Sequence, residues 1–347
     1  MLKLQNKIPS ALTIGGKIVE RVLMNNEVVW EKVQLDYFYI ESLADGNTIS
    51  VINVVNTDTG SHTPTLEYST DKNTWNTITF DTSLGTHTTE LPVKLNTGEK
   101  MYFRNDTRKF SNSSSKYISF SPSVSSNVGG DIRTLSNYLD VNNETKPKSN
   151  MFGNLFYNNK FIVDASNLRL PYTTLANGCY LSMFGGCTSL VNAPTLPATT
   201  LANYCYEHMF WGCKNLTTAP ALPATALVID CYRSMFEGCT SLTTAPALPA
   251  TTLADYCYDS VFEGCKNLTT APALPATSLA EYCYRSMFQN CTSLNNVTVY
   301  ADDNSASNCT TDWLSGVAST GTFRNLGSAT YPTGLSGIPS GWTEVKN

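Results

Sequence analysis

Eleven cysteines fall on two interleaved ladders with a single period. Cys179, Cys205, Cys231, Cys257, Cys283 and Cys309 recur every 26 residues, and Cys187, Cys213, Cys239, Cys265 and Cys291 recur between them at the same 26-residue spacing. A fixed period of this size means one supersecondary unit repeated, each copy burying its apolar side only against its neighbours. One unit reads TTLANYCYEHMFWGCKNLTTAPALPA from Thr199 to Ala224. Zinc is a poor reading of the ladders, because the Cys-x7-Cys separation is too long for a chelating knuckle and no histidine accompanies it. An odd count favours reduced, buried thiols that act as small hydrophobes.

Within a unit, Leu201, Cys205 and Met209 recur at i, i+4 and i+8, with Ala202, Tyr206 and Phe210 beside them. This spacing predicts an apolar helical stripe, N-capped by Thr200 and ended by Gly212. CKNLTTAP then predicts a short extended segment led by Leu216, and Ala-Pro-Ala-Leu-Pro returns the chain in extended form. Helix, turn, short strand and return make one coil of a solenoid. The ends fit this scheme. CTTDWLSGV around Cys309, Trp313 and Leu314 is a decayed sixth unit, and LFYNNKFIVDASNLRLPYTTL is a first unit with an insertion. The aromatic, Gly-rich tail after it is expected to cover the end of the stack.

MFxGCTSLTTAPALPATTLAxYCY resembles the BspA-like (Treponema-type) leucine-rich repeats, in the 26-residue form of gut bacteria and their phages. The likeness covers roughly residues 150–347, and NCTTDWLSGVASTGTF…SGIPSGWTEV resembles the usual ending of such proteins. The resemblance implies an adhesion or recognition scaffold without catalytic residues.

Upstream, KIVERVLMNNEVVWEK alternates about Asn25-Asn26 and predicts a β-hairpin with Trp30 on its returning strand. The segment looks like the short attachment element of phage tail and fibre proteins. YFYIES, TISVINVV, TLEYST, TWNTITF, TTELPVKL, KMYFRN and KYISFSP are strand-sized runs separated by polar turns, which indicates a β-sandwich. Ser69-x-Asp71-x-Asn73-x-Trp75 resembles a sialidase Asp-box one residue short and reads as a hairpin turn followed by a core tryptophan. The expected order is a β-hairpin attachment segment (1–34), a β-sandwich (35–125), a linker or solenoid N-cap (126–150), an α/β leucine-rich-repeat-like solenoid (151–300) and a C-terminal cap (301–347). The last two are expected to fold independently of the front.

Composition narrows the function. The 347 residues carry a formal net charge of −5 and only three histidines, so no basic footprint for nucleic acid exists and few metal or acid–base sites are open. No apolar run approaches the ~18 residues of a membrane span. The opening MLKLQNKIPSALTIGGK has no continuous apolar run or small-residue cleavage site, so no secretory signal is expected. Walker A, GxGxxG, GxSxG and HExxH are absent from the sequence. Asp302-Asp303-Asn304 is a short acidic turn rather than a cation site. No enzyme, cofactor or metal is expected.

Comparing units shows where a recognition surface would lie, with drift at unconstrained positions as the alternative reading. Stripe positions hardly change, whereas Leu181, Glu207, Arg233, Asp259 and Arg285 share one place in the repeat, and Gly185, Trp211, Glu237, Glu263 and Gln289 another. Tyr204, His208 and Trp211, at i, i+4 and i+7, form a candidate contact surface for a sugar ring or a protein. Thr217-Thr218, Thr243-Thr244 and Thr269-Thr270 form a hydroxyl strip on the strand side. These features suggest a phage virion protein of the tail, baseplate, or head fibre or decoration. It would join other virion proteins through residues 1–34 and a host surface protein or glycan through the solenoid, with no nucleic-acid partner and no membrane insertion. Homo-oligomerisation stays open. A bacterial cell-surface adhesin is the alternative, and it requires an export signal.

Overall fold

The structure, a computed structural model, describes residues 12–14, 17–19, 21–24, 27–31, 35–55, 66–81, 83–105, 116–137 and 145–346. At the front, β1 (Leu12–Ile14) pairs antiparallel with β2 (Lys17–Val19), and β3 (Arg21–Met24) with β4 (Glu27–Glu31). Val22 lies opposite Trp30, as the hairpin reading requires, although the Asn25-Asn26 turn lies outside the described residues.

The seven predicted runs become β5 (Phe38–Ser42), β6 (Asn47–Val55), β7 (Leu66–Ser69), β8 (Asn76–Ile78), β9 (Gly85–Leu95), β10 (Lys100–Arg104) and β11 (Lys116–Pro122). One sheet runs β13-β12-β5-β10-β7-β8 and the other β11-β6-β9, where β12 is Ser126–Asp131 and β13 is Ile162–Arg169. Alternate residues of β5 and β10 turn inward. Phe38 and Phe103 of the first sheet meet Phe120 of the second at ring separations of 5.3 and 4.7 Å. Trp75 differs from expectation. It is half-buried at the surface, beneath the Arg104 guanidinium at 4.0 Å and against Tyr37.

Residues 126–150, expected to link or cap, begin with a buried strand of the sandwich sheet. Because β12 pairs in parallel with β13 of the first coil, that sheet continues into the repeats. Single parallel bridges carry it on through Asp164, Asn192, Thr218 and Thr244, and from Thr270 to Asn296. It ends in the parallel strands β14 (Asn296–Val299), β15 (Gly321–Asn325) and β16 (Trp342–Lys346). Phe120 N–H donates to Leu155 O at 2.9 Å, and the Asn159 amide donates to Phe120 O at 3.1 Å. The sandwich is thus the floor of the stack, not a separately tethered body.

The predicted helices are absent. The chain is β-rich, and its only helix among the described residues is the single turn α1 (Thr134–Asn137). Residues 201–213 form overlapping turns in which Cys205, Glu207, Met209, Trp211 and Cys213 N–H donate to the carbonyl three residues back. The alternate N–H groups of Tyr204, Tyr206, His208, Phe210 and Gly212 donate to Ile229, Cys231, Arg233, Met235 and Glu237 of the next coil. Every fourth residue is left-handed: Tyr204 (φ 62°), His208 (φ 55°) and Gly212 (φ 67°). Such corners reset the chain direction every four residues, so Cys205, Met209 and Cys213 all point inward. An α-helix at 3.6 residues per turn would rotate each by about 40° from the last. Counted from Ala202, the apolar residues Cys205, Tyr206, Met209 and Phe210 also fit the i+3, i+4, i+7 and i+8 places of a helix face, so the pattern within one coil does not separate a helix from turns with a period of four.

Stacking keeps each column in contact. Tyr180, Tyr206, Tyr232, Tyr258 and Tyr284 lie ring over ring at 5.7–6.2 Å, and Phe184, Phe210, Phe236, Phe262 and Phe288 at 5.6–5.8 Å. Phe152 under Tyr180 and Phe156 under Phe184 mark the first coil. Trp313, above Tyr284, closes the column with Phe323 and Tyr331. All eleven cysteines are free and buried.

Candidate functional site

The turn side presents two outward columns that the core does not use. In the left-handed corners stand Asn150, Gly178, Tyr204, Asp230, Tyr256, Tyr282 and Asn308. Three residues on stand Leu181, Glu207, Arg233, Asp259 and Arg285, each one coil above the last. Tyr204 and Trp211 are exposed, and His208 is half-buried. They are therefore surface groups, as expected, but not on a helix. Tyr204 and His208 occupy successive corners, while Trp211 precedes the next corner and donates its indole N–H to Glu237 of the following coil at 3.2 Å. His208 Nδ1 lies 3.6 Å from Glu207, and burial depresses its basicity.

What sequence reading saw only as variation is an ion-pair ladder. Arg285 grips Asp259 with two bonds, 2.6 and 3.1 Å, and lies over the stacked rings of Tyr256 and Tyr282 at 5.5 and 5.1 Å. Asp259 is 1% exposed. Arg233 has a looser position, 3.3 Å from Asp259, 3.6 Å from Glu207 and 3.6 Å from Asp230. Three carboxylates thus share two guanidinium groups. Burial, opposed by Arg233 and reinforced by Asp230 and Asp259, pushes the Glu207 carboxyl up to about 7. Burial likewise raises Asp230. The alternation of sign at 26-residue spacing was the available signal, and only the coil stacking shows that the groups touch.

Other candidates resolve differently. Thr217-Thr218, Thr243-Thr244 and Thr269-Thr270 are exposed beside the bridged strands. Next to them an uncharged cleft of about 740 Å³ is lined by Asn192, Thr218 and the returns through Pro194, Pro197, Pro220 and Pro223. Asp71 accepts N–H bonds from Asn73 and Thr74 at 2.8 and 2.7 Å, which closes the β7–β8 turn and lowers its carboxyl to about 2. Asp302 accepts from Ser328 of the cap, and Asp303 from Ser305. Ser83, His87 and Asp81 meet on one turn, but the Ser83 hydroxyl donates to Asp81 at 2.7 Å and His87 Nε2 lies 3.1 Å from the Ser83 carbonyl. A ring N–H spent on that carbonyl cannot accept the hydroxyl proton. Among the described residues no group of three or more His, Cys, Asp or Glu is placed to hold a metal, and no helix is long and apolar enough to cross a membrane.

Compared with family models, curated proteins and solved structures, the chain matches none.

Proposed function

We propose that the chain is a non-enzymatic phage structural protein that presents a leucine-rich-repeat-like solenoid for attachment to a host surface protein or glycan. The carrying observation is the contrast between columns. Inward places keep Cys, Tyr, Met or Val, and Phe from coil to coil, whereas outward places change in charge and size while the backbone stays the same. A constant rigid frame with a variable outer face suits recognition rather than bond chemistry. The resemblance of the repeat to BspA-like sequences supports this reading, and so does the β3–β4 hairpin in the segment resembling phage attachment elements. A bacterial surface adhesin would use the same face, and the same columns favour it equally.

Negative-stain imaging of particles labelled with antibody against this chain separates the two. Label at a fixed place on virions is expected, with loss of incorporation when residues 1–34 are deleted. Label on bacterial envelopes alone overturns the virion reading.

A further inference from the structure

Beside the ion-pair ladder, the first three coils present an uncharged strip that packing does not use. Asn158 N–H donates to Gly185 O at 2.7 Å and Gly186 N–H to Trp211 O at 2.6 Å, which sets Tyr157, Gly185 and Trp211 one above another in a single outward column. Tyr157 is 37% and Trp211 36% exposed. They stand two coil steps apart, on a stack whose adjoining Phe156, Phe184 and Phe210 rings are spaced at 5.0 and 5.7 Å. Gly185 leaves the middle step without a side chain, and Tyr157 leans onto it, so that a Cβ there would stand 3.2 Å from Tyr157 Cδ2. Later coils fill the same place with Glu237, Glu263 and Gln289. The corner column three residues earlier carries Asn154, Ser182 and His208 along the flank of this aromatic pair. Asn154 and Ser182 are half-buried, yet among the described residues neither the amide nor the hydroxyl makes a hydrogen bond. We propose that this strip binds a neutral sugar, its ring against Tyr157 and Trp211 and its hydroxyls on Asn154, Ser182 and His208.

The electron-rich face of an aromatic ring receives the C–H groups of a pyranose, while amide, hydroxyl and imidazole groups bond its hydroxyls, and the strip sets the two kinds side by side. Asn154 and Ser182 break no internal bond in doing so, so the full value of each new hydrogen bond goes to the ligand. Charge selects the sugar. The six residues include no lysine or arginine, and burial keeps the basicity of His208 low. Glu237, whose Oε1 lies 3.2 Å from the Trp211 indole nitrogen, closes the top of the strip with a carboxylate that opposes an acidic sugar. Size argues against a protein ligand, since a stable protein interface uses roughly 20–30 residues a side. This inference rests on the attachment reading and names the class of ligand it requires.

The test is a ligand-observed NMR titration of the full chain with cellotriose, maltotriose and triacetylchitotriose, and with N-acetylneuraminic acid as the acidic comparison. It is repeated on Tyr157→Ala, Trp211→Ala and Gly185→Gln, with circular dichroism confirming that each variant is folded. Gly185→Gln installs the side chain that another coil carries at Gln289, so it fills the gap without disturbing the stack. Saturable binding of at least one neutral trisaccharide is expected, weakened ~10-fold in each alanine variant and lost in Gly185→Gln. No saturation by any of the three, binding unchanged in all the variants, or equal binding of N-acetylneuraminic acid overturns the proposal. Particles carrying Trp211→Ala that still bind the host at full strength would leave the attachment reading standing and remove this one. Trisaccharide binding by a chain found only on bacterial envelopes would keep the sugar site and remove the virion.

Discussion

The Cys239 thiol donates to the Phe210 carbonyl of the preceding coil at 3.2 Å. Cys187, Cys213, Cys265 and Cys291 repeat the relationship with Phe156, Phe184, Phe236 and Phe262. This ladder is more than small apolar filling, because each thiol ties one coil to the last. Burial pushes Cys179, Cys283 and Cys291 up to about 12, away from the reactive thiolate. Native protein is expected to react negligibly with a polar disulfide reagent, and protein unfolded without reductant to release all eleven thiols. Cys239→Ala should cost about 1–2 kcal/mol by urea denaturation.

Tyr232 and Tyr258 hold buried hydroxyls with no hydrogen-bond partner, while their rings stack 5.8 Å apart. Removing an unpaired buried hydroxyl keeps the stack and lifts a desolvation cost. Tyr232→Phe is expected to be neutral or to stabilise by about 1 kcal/mol, and a clear loss of thermal stability would show that the hydroxyl is satisfied.

Gly238 sits in a left-handed corner at φ 72° and donates its N–H to Glu263 at 2.7 Å. In the same place other coils use Asn158 and Asn290. A Cβ on Gly238 would meet only the Gly212 backbone, Cα at 3.6 Å and N at 3.8 Å, both ordinary contacts. Gly238→Asn should therefore cost under about 1 kcal/mol. Gly238→Pro, which loses both the positive φ and the inter-coil bond, should cost about 3 kcal/mol or more. Equal losses from the two would contradict the turn ladder.

Glu207 binds its proton more tightly folded, at about 7, than at its ordinary 4.5. Its contribution is favourable below about pH 4.5 and is lost as pH rises through 7. Wild-type thermal stability is expected to fall relative to Glu207→Gln between pH 5 and pH 8. Parallel pH profiles for the two would remove Glu207 from the buried cluster.

Met151, Phe152, Leu155 and Phe156 are fully buried, and Phe156 packs on Phe38 and Phe120 of the sandwich. A fragment beginning at residue 150 would expose this floor. Contrary to the expectation of independence, residues 150–347 should aggregate or bind a hydrophobic dye. Residues 35–347 should unfold cooperatively and remain monodisperse in size-exclusion chromatography.

The sequence alone determined the period, the inward residues, the seven sandwich strands and the two capping coils, because burial of side chains leaves a pattern readable in one dimension. It also placed Tyr204, His208 and Trp211 on the outside. Tertiary structure decided how the backbone achieves that pattern. Half the N–H groups of Tyr204–Cys213 bond to the next coil, and no property of a single coil reveals that partner. Given it, left-handed corners replace a helix, since every donor is satisfied and no apolar residue rotates out of the core. The Glu207–Arg233–Asp259–Arg285 ladder depended on the same stacking, which brings residues 26 apart in sequence to ion-pair distance.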